Sequence, residues 1–155
     1  MAIPSDYKEL LSVLNRLKAR YLIVGAYAVI YYTEPRYTKD IDIWVEPEIE
    51  NAKKVYRALK KFGAPLKNVS PEDFVKKNMI YQIGVAPVRV DILMGIGDIE
   101  FNQAWAHRRV VEFEGVKVNI IGLKDLIMAK KRAKRQSDTI DIDNLQQRLK
   151  LRKKR

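Results

Sequence analysis

The sequence contains no cysteine, one histidine and no uninterrupted apolar segment of about 18 residues. The lack of cysteine excludes disulfide bonds, thiolate catalysis and cysteine-ligated zinc, and it fits a cytoplasmic protein. The lack of a long apolar segment argues against a transmembrane helix and a membrane partner. The N-terminal residues, MAIPSDYKELL, do not combine a charged segment with a following apolar one, which predicts that no signal peptide is present. We therefore expect a cytoplasmic globular protein.

Length and composition favour one folded unit. The chain has 155 residues, of which 47% are hydrophobic, enough for one domain with a sizeable core. No internal repeat, linker or low-complexity segment stands out apart from the basic end, KLRKKR, at residues 150–155. We predict a single domain over residues 1–155, with a basic tail over about 150–155.

The charge is strongly positive and unevenly distributed. The formal net charge is +11, and the segment Lys124–Arg155 carries twelve Lys and Arg against four Asp, which gives +8. A basic segment of this kind favours a polyanionic partner such as RNA or a nucleotide. A charge run taken alone is more often a solvated helical face with a basic tail, so the charge supports a polyanionic partner without establishing one.

Apolar periodicity predicts alternating strands and helices. YLIVG is a short apolar segment that ends in Gly25, and AYAVIYY continues it as a helix that Pro35 must end. MIYQIGV and VRVDILM predict a strand pair, and VVEFEGVKVNI predicts a hairpin that turns near Glu114-Gly115. The other predicted elements are a strand at 40–45 and helices at 6–18, 47–62, 101–105, 123–134 and 138–149. The predicted fold class is α/β (α+β), a mixed sheet flanked by helices.

Two carboxylates interrupt the strand DIDIWV. Side chains alternate along a strand, so Asp40 and Asp42 lie on one face and Ile41 and Ile43 on the other. Two close carboxylates repel each other and raise each other's pKa unless a cation lies between them. Oxygen-only ligands suit Mg²⁺ or Mn²⁺. The alternative is a strand whose polar face is solvated, and Asp-x-Asp alone does not distinguish the two.

Two further features of the sequence favour a metal and phosphate site over a solvated strand face. Gly25 ends a strand directly before a helix, where a phosphate can approach backbone N–H groups. The strand VRVDIL carries Asp91, which can supply a third ligand if the two strands are neighbours. Three carboxylates beside a phosphate-binding turn are typical of a two-metal phosphoryl-transfer centre.

These residues resemble the nucleotidyltransferase superfamily related to DNA polymerase β. The order of the Gly turn, a spacer of thirteen residues from Tyr27 to Lys39, Asp-x-Asp and a later strand Asp is similar to that superfamily. The segments VGAYAVIYYTEPRYTKDIDIWV, RVDIL and GLKDLIMAKKRAKRQSDTIDIDNL resemble small stand-alone prokaryotic members, some of whose relatives belong to toxin–antitoxin or abortive-infection systems. The resemblance extends from about Leu22 to Leu145.

The resemblance implies roles by position. Asp40, Asp42 and Asp91 are expected to ligate Mg²⁺ or Mn²⁺, and Asp91 to help deprotonate the attacking hydroxyl. Gly25 and the N–H groups after it, beginning at Ala26, are expected to hold the triphosphate of an NTP. The implied reaction is attack of an acceptor hydroxyl on the α-phosphorus with release of pyrophosphate. The acceptor class is left open: a protein, an RNA or a small molecule.

Other residues have two interpretations each. Thr38 lies in phase with Asp40 and can line the site, and Arg36 can reach a phosphate; both also suit a turn or strand edge. Arg89 shares a strand face with Asp91 and can simply pair with it. Near the C-terminus, a Lys/Arg-then-Asp pattern resembles related proteins, and for it we favour helix capping and ion pairing. Its members are Lys130, Arg135, Asp138 and Asp141.

One departure opens a second hypothesis. The position after the first Gly is often Gly or Ser in the superfamily, and here it is Ala26, which donates only through its backbone. The first hypothesis is a metal-dependent nucleotidyltransferase. The second is a catalytically degenerate binding module, antitoxin-like or RNA-binding, that contacts RNA or a partner protein through the basic C-terminal segment.

Overall fold

The computed structural model describes residues 5–34, 40–84, 88–133 and 138–153. Within these ranges, strands and helices alternate along the chain. The strands are β1 (Tyr21–Val24), β2 (Asp40–Val45), β3 (Ile80–Ile83), β4 (Arg89–Leu93), β5 (Arg109–Phe113) and β6 (Val116–Ile120). The helices are α1 (Ser5–Arg16), α2 (Gly25–Tyr32), α3 (Ile49–Phe62), α4 (Phe101–Ala106), α5 (Leu123–Ala133) and α6 (Asp138–Lys153), with a 3-10 turn at Pro71–Val75.

The six strands form one mixed sheet in the order β3-β4-β2-β1-β6-β5. β2 pairs in parallel with β4 and antiparallel with β1, and β1 pairs in parallel with β6. The predicted mixed sheet flanked by helices is therefore confirmed. β2 lies near the middle of the sheet, so the two strands on either side of it can both contribute to a site on its face.

The two predicted antiparallel pairs are confirmed. β3 pairs with β4, and β5 pairs with β6 around a tight turn. Glu114 and Gly115 both have positive φ, 48° and 85°, as the twist of a two-residue hairpin turn requires. The last helix departs from prediction: α6 continues to Lys153, past the predicted end at residue 149, so part of the expected basic tail is helical.

Helices cover the sheet and connect to the central strands. α1 packs on α3, and α2 packs on both α5 and α6. The face of α1 that carries Leu10, Leu11 and Leu14 is fully buried, as its helical spacing predicts. The Tyr7 hydroxyl donates a hydrogen bond of 2.9 Å to the carbonyl oxygen of Arg89. α1 therefore helps to hold the first residue of β4 in place.

No helix in the described parts of the chain combines the length and the apolar character needed to cross a membrane.

Candidate functional site

Three carboxylates meet on one face of the sheet. In the parallel register of β2 and β4, Asp42 lies directly beside Asp91, and Asp40 lies beside Arg89. Carboxylate oxygens of Asp40, Asp42 and Asp91 all lie within 4.8 Å of one another. Asp91 is only 6% exposed, Asp42 is half-buried, and the Asp40 side chain is 33% exposed, so the face is buried at Asp91 and opens to solvent at Asp40. We call these three residues the acidic triad.

Arg89 is the cation that faces the acidic triad. Its guanidinium donates two hydrogen bonds to Asp91, from Nε to Oδ1 at 3.1 Å and from a terminal nitrogen to Oδ2 at 2.9 Å. The same terminal nitrogen lies 3.3 Å from Oδ2 of Asp40. The pairing of Arg89 with Asp91 that the strand pattern suggests is confirmed. The second contact, to Asp40, depends on the pairing of β2 with β4.

The environment of Asp42 favours its neutral form. Burial removes water from the carboxylate, and the negative charges of Asp40 and Asp91 add repulsion. A hydrogen bond with Asp91 acts in the same direction, and Arg89 opposes it. Together these raise the pKa of Asp42 to about 7. When Asp42 is ionised, the neighbouring carboxylates repel its charge, and a cation bound among them would relieve this repulsion.

Gly25 is packed against Asp42. Its φ of +66° lies in the left-handed region, which side chains rarely adopt. A Cβ at this position would lie 2.2 Å from Oδ2 of Asp42, so any larger residue would displace the carboxylate. The contact arises because β1 pairs with β2, with Val24 opposite Asp42. The Gly at the end of β1 is thus part of the same site as the acidic triad.

The N-terminus of α2 lies beside the acidic triad, because its first residue, Gly25, packs against Asp42. Val24, at the N-cap, contributes no side-chain hydrogen bond. The first N–H groups of a helix have no intrahelical acceptor, and the helix dipole favours an anion there. Backbone donors beside three carboxylates give a place for phosphate next to a place for a cation.

The family of the chain follows from its sequence. A profile of the family described as nucleotidyl transferase of unknown function (DUF2204) matches residues 4–155. The chain belongs to this family. The match confirms the resemblance to the nucleotidyltransferase superfamily. A search of curated proteins finds no significant match.

Solved structures share the fold of this chain. The lincosamide antibiotic adenylyltransferase LnuA, in a lincomycin-bound crystal structure, has a TM-score of 0.63 and 16% identity over 94% of this chain and 97% of that one. A proposed nucleotidyltransferase from Thermotoga maritima has a TM-score of 0.60 and 15% identity over 88% of each chain. An antigenic nucleotidyltransferase-like protein from Paracoccidioides brasiliensis has a TM-score of 0.55 and 18% identity, over 96% of this chain and 78% of that one. At these identities the likeness concerns the fold.

The acidic triad has the chemistry of a divalent-metal centre. All three donors are carboxylate oxygens on adjacent strands, close enough for one ion to contact each of them. Hard oxygen donors with two or more negative charges suit Mg²⁺ or Mn²⁺. Among the described residues, Arg89 brings one positive charge to Asp40 and Asp91, and the repulsion among three carboxylates favours a further cation.

Lys130 lies close to the acidic triad, a position the sequence pattern did not reveal. A cavity of about 120 Å³ has Gly25, Asp42 and Lys130 in its wall. The Lys130 ammonium lies 3.3 Å from Oδ2 of Asp141, and both side chains are largely buried. The ion pairing that we favoured is observed for Lys130 and Asp141, and it joins α5 to α6. Arg135 and the side chain of Asp138, the other members of the pattern, lie outside the described residues. In the sequence Lys130 is one of several adjacent basic residues, and only packing distinguishes it from them.

Two predicted site residues, Arg36 and Thr38, lie outside the described residues.

Proposed function

We propose that this chain transfers a nucleoside monophosphate from an NTP to a hydroxyl acceptor and releases pyrophosphate, using Mg²⁺ or Mn²⁺ held by Asp40, Asp42 and Asp91. The observation that carries the proposal is the convergence of the acidic triad within 4.8 Å, next to the N-terminus of α2. Family membership supports the reaction class, and the positions of Gly25 and Asp42 support the site.

The residues divide the chemistry between them. The N–H groups of Gly25, Ala26 and the next residues of α2 hold the triphosphate, together with Arg36 and Thr38. The acceptor oxygen forms a bond to the α-phosphorus, and the bond from that phosphorus to the bridging β-oxygen breaks. Pyrophosphate takes the electron pair, and the hydroxyl proton passes to Asp91. A bound divalent cation supplies stabilisation of negative charge on the attacking and leaving oxygens.

Arg89 competes with a cation for Asp91. It donates one hydrogen bond to each oxygen of Asp91, which leaves a second lone pair on each oxygen for a proton or a cation. Arg89 is 39% exposed as a side chain, and a long, flexible side chain at that exposure has room to rotate outward. In our proposal Arg89 neutralises the triad when no metal is bound and yields its place to the cation.

Label transfer tests the proposed reaction. The protein is incubated with each of the four α-³²P-labelled NTPs, Mg²⁺ or Mn²⁺, and separate RNA, protein and small-molecule fractions of a cell extract. We expect label in one fraction with wild type and none with Asp40→Asn, because the triad loses one of its three carboxylate ligands. Absence of label in all three fractions, with protein that is folded by circular dichroism, would rule out the transferase proposal under these conditions.

A binding module without catalysis is the second candidate. Ala26 offers no hydroxyl to a phosphate, and the segment Lys124–Arg155 carries a net charge of +8. On this hypothesis the basic segment binds RNA or a partner protein. The structural support is limited to the helical extension of α6 through Lys153, which places basic residues on an ordered element. An association with a toxin–antitoxin system, a cytoplasmic location and the single-domain organisation stay predictions.

We predict that RNA affinity, if it resides in the basic segment, falls steeply with salt. Phosphate contacts release counterions, so the logarithm of the affinity decreases linearly with the logarithm of the salt concentration, with a slope of about −0.7 per contact for single strands. Retention of RNA on filters at several salt concentrations measures this slope for wild type and for a chain that lacks Leu151–Arg155. Equal slopes for the two proteins would show that these basic residues are passive.

A further inference from the structure

Arg89 combines a fixed backbone with an exposed side chain. It is the first residue of β4 and lies opposite Asp40 in the parallel register of β2 and β4. Its carbonyl oxygen accepts a hydrogen bond of 2.9 Å from the Tyr7 hydroxyl, whereas its side chain is 39% exposed. Because the sheet and α1 both hold the backbone, the guanidinium can change partners only by rotation of its own side chain.

The guanidinium lies on the open side of the acidic triad. The side chain of Asp40 is 33% exposed and that of Asp91 is 9% exposed, so the triad is open to solvent at Asp40. The terminal nitrogen that donates to Asp91 at 2.9 Å also lies 3.3 Å from Oδ2 of Asp40. One guanidinium nitrogen therefore bridges the exposed and the buried carboxylate, and a cation that enters from solvent meets Arg89 there.

The competition between Arg89 and a divalent cation is electrostatic. Each oxygen of Asp91 keeps a lone pair beside its hydrogen bond to Arg89, but the guanidinium charge repels a second cation at the same oxygens. Asp91 is nearly buried, so salt and water screen this repulsion only weakly. A cation that binds by itself has to weaken the contact of Arg89, and its affinity is lower by the free energy of that contact.

A nucleotide offers the displaced guanidinium a new partner. Guanidinium groups pair with phosphate oxygens in the same two-pronged way as with a carboxylate. The N-terminus of α2, where we place the triphosphate, begins at Gly25, which packs against Asp42. Asp42 in turn lies beside Asp91 in the sheet. The proposed position of the triphosphate is therefore next to the carboxylates that Arg89 has to release.

We infer that Arg89 is an internal counter-ion that couples metal binding to nucleotide binding. In the nucleotide-free protein it pairs with Asp91 and Asp40 and keeps the affinity for a divalent cation low, and the phosphates of the nucleotide release it. The inference rests on the proposed function. Both ligands displace the same guanidinium, so its contact is lost only once when both bind. Each ligand therefore strengthens the binding of the other by the same factor.

The affinity for Mn²⁺ alone tests the counter-ion role and does not require transfer. The electron paramagnetic resonance signal of free Mn²⁺ gives the Kd of the full chain without nucleotide. We expect Arg89→Gln to bind Mn²⁺ about 10-fold or more tightly than wild type, because a repelling charge at short range is removed. Arg89→Lys keeps the charge and loses the two-pronged geometry, so its Kd should lie between the other two.

Arg20→Gln controls for the loss of charge. It removes one positive charge and one ion pair, with Glu46, at the opposite end of β1 from Gly25. Its Kd for Mn²⁺ should equal that of wild type.

Calorimetric titration with the non-reactive nucleotide α,β-methylene-ATP measures the coupling. Its Kd is determined in EDTA and in saturating Mn²⁺, and the ratio of the two values is the coupling factor. Ligation of the metal by the nucleotide contributes to this factor in every variant. We expect the factor of wild type to exceed that of Arg89→Gln by about 10-fold, since only the contribution of Arg89 is lost. Equal factors would overturn the coupling.

The outcomes separate the counter-ion role from the transferase proposal. Mn²⁺ affinity that is no higher in folded Arg89→Gln than in wild type overturns the counter-ion role, as does an equal gain in Arg20→Gln. If Arg89→Gln does not fold in EDTA, Arg89→Lys serves for the same comparison, and a Kd equal to that of wild type overturns the role. A gain in Mn²⁺ affinity without label transfer to any acceptor supports the role and removes the transferase proposal. Label transfer by wild type with unchanged Mn²⁺ affinity in Arg89→Gln has the opposite meaning, and no Mn²⁺ binding by any of the proteins overturns both.

Discussion

Asp42→Asn is expected to abolish nucleotidyl transfer and, in metal-free protein at pH 8, to raise the free energy of unfolding. Transfer should fall by about 10²–10³-fold or more, the size of effect that follows removal of one preorganised electrostatic group from an active site. The gain in stability has a separate cause. The folded protein carries three neighbouring carboxylates with one guanidinium among them, and the substitution removes one of the repelling charges.

The pH dependence of this gain has a definite sign. The pKa of Asp42 is raised to about 7 in the folded protein, above the usual value in an unfolded chain. Between about pH 4 and 7 the folded state therefore retains a proton that the unfolded state has released. The free energy of unfolding falls as the pH rises through this window, by on the order of 4 kcal/mol. Asn does not titrate, so the variant lacks this decrease.

Urea unfolding of wild type and Asp42→Asn at pH 5 and pH 8, with EDTA, measures the effect. The advantage of the variant should be small at pH 5 and large at pH 8. Asp73→Asn is a control in which the substitution should lower the free energy of unfolding instead of raising it. Hydrogen bonds from the backbone of Ser70 and the side chain of Lys76 lower the pKa of Asp73. Loss of this carboxylate therefore destabilises the protein at any pH above the ordinary pKa of an Asp side chain. If the free energies of unfolding of Asp42→Asn and wild type differ by the same amount at pH 5 and at pH 8, the repulsion argument is contradicted.

Mn²⁺ should reverse the ranking of the two proteins. A metal that binds only the folded state adds about 2.7 kcal/mol of stability at a hundredfold excess over its dissociation constant. Wild type should gain this stability, and Asp42→Asn, which has lost a ligand, should gain little. If wild type shows no increase with Mn²⁺ either alone or with ATP, the proposed metal centre is wrong.

Gly25→Ala is expected to remove transfer activity with only a moderate loss of stability. The positive φ of Gly25 costs a non-Gly residue about 1–3 kcal/mol. The larger effect is local, because the new Cβ would lie 2.2 Å from Oδ2 of Asp42 and must push the carboxylate away from the triad. We expect a loss of transfer of about 10²-fold or more, since small misplacements of catalytic groups cost this much, together with loss of the Mn²⁺-dependent stabilisation.

Gly115→Ala is the matched control for Gly25→Ala. Gly115 also has a left-handed φ, +85°, and a Cβ there would meet nothing within 4 Å. Both variants therefore carry backbone strain, and only one carries the contact with Asp42. Melting curves and label-transfer rates of the two variants therefore separate the effect of backbone strain from the effect of the contact with Asp42. Equal transfer rates would show that the close approach of Gly25 to Asp42 has no role in catalysis.

The pattern of apolar and polar residues determined much of this protein. Alternation in DIDIWV placed Asp40 and Asp42 on one face because the strand period is two. The Gly at the end of YLIVG predicted a turn into a helix, and the structure has that turn with positive φ at Gly25. The resemblance carried by these motifs led to the superfamily that the family match confirms. Such features are local, since each depends on a few consecutive residues.

Tertiary structure decided what those residues contact. The parallel register of β2 and β4 sets Asp91 beside Asp42, and it adds Asp40 to the partners of Arg89. Packing of α5 against α2 and α6 brings Lys130, and not its basic neighbours, into the cavity beside Asp42. Contacts of this kind depend on strand order and helix packing, which arise from burial over the whole chain. A local sequence pattern can therefore identify the candidate ligands, but it does not determine how the fold brings them together.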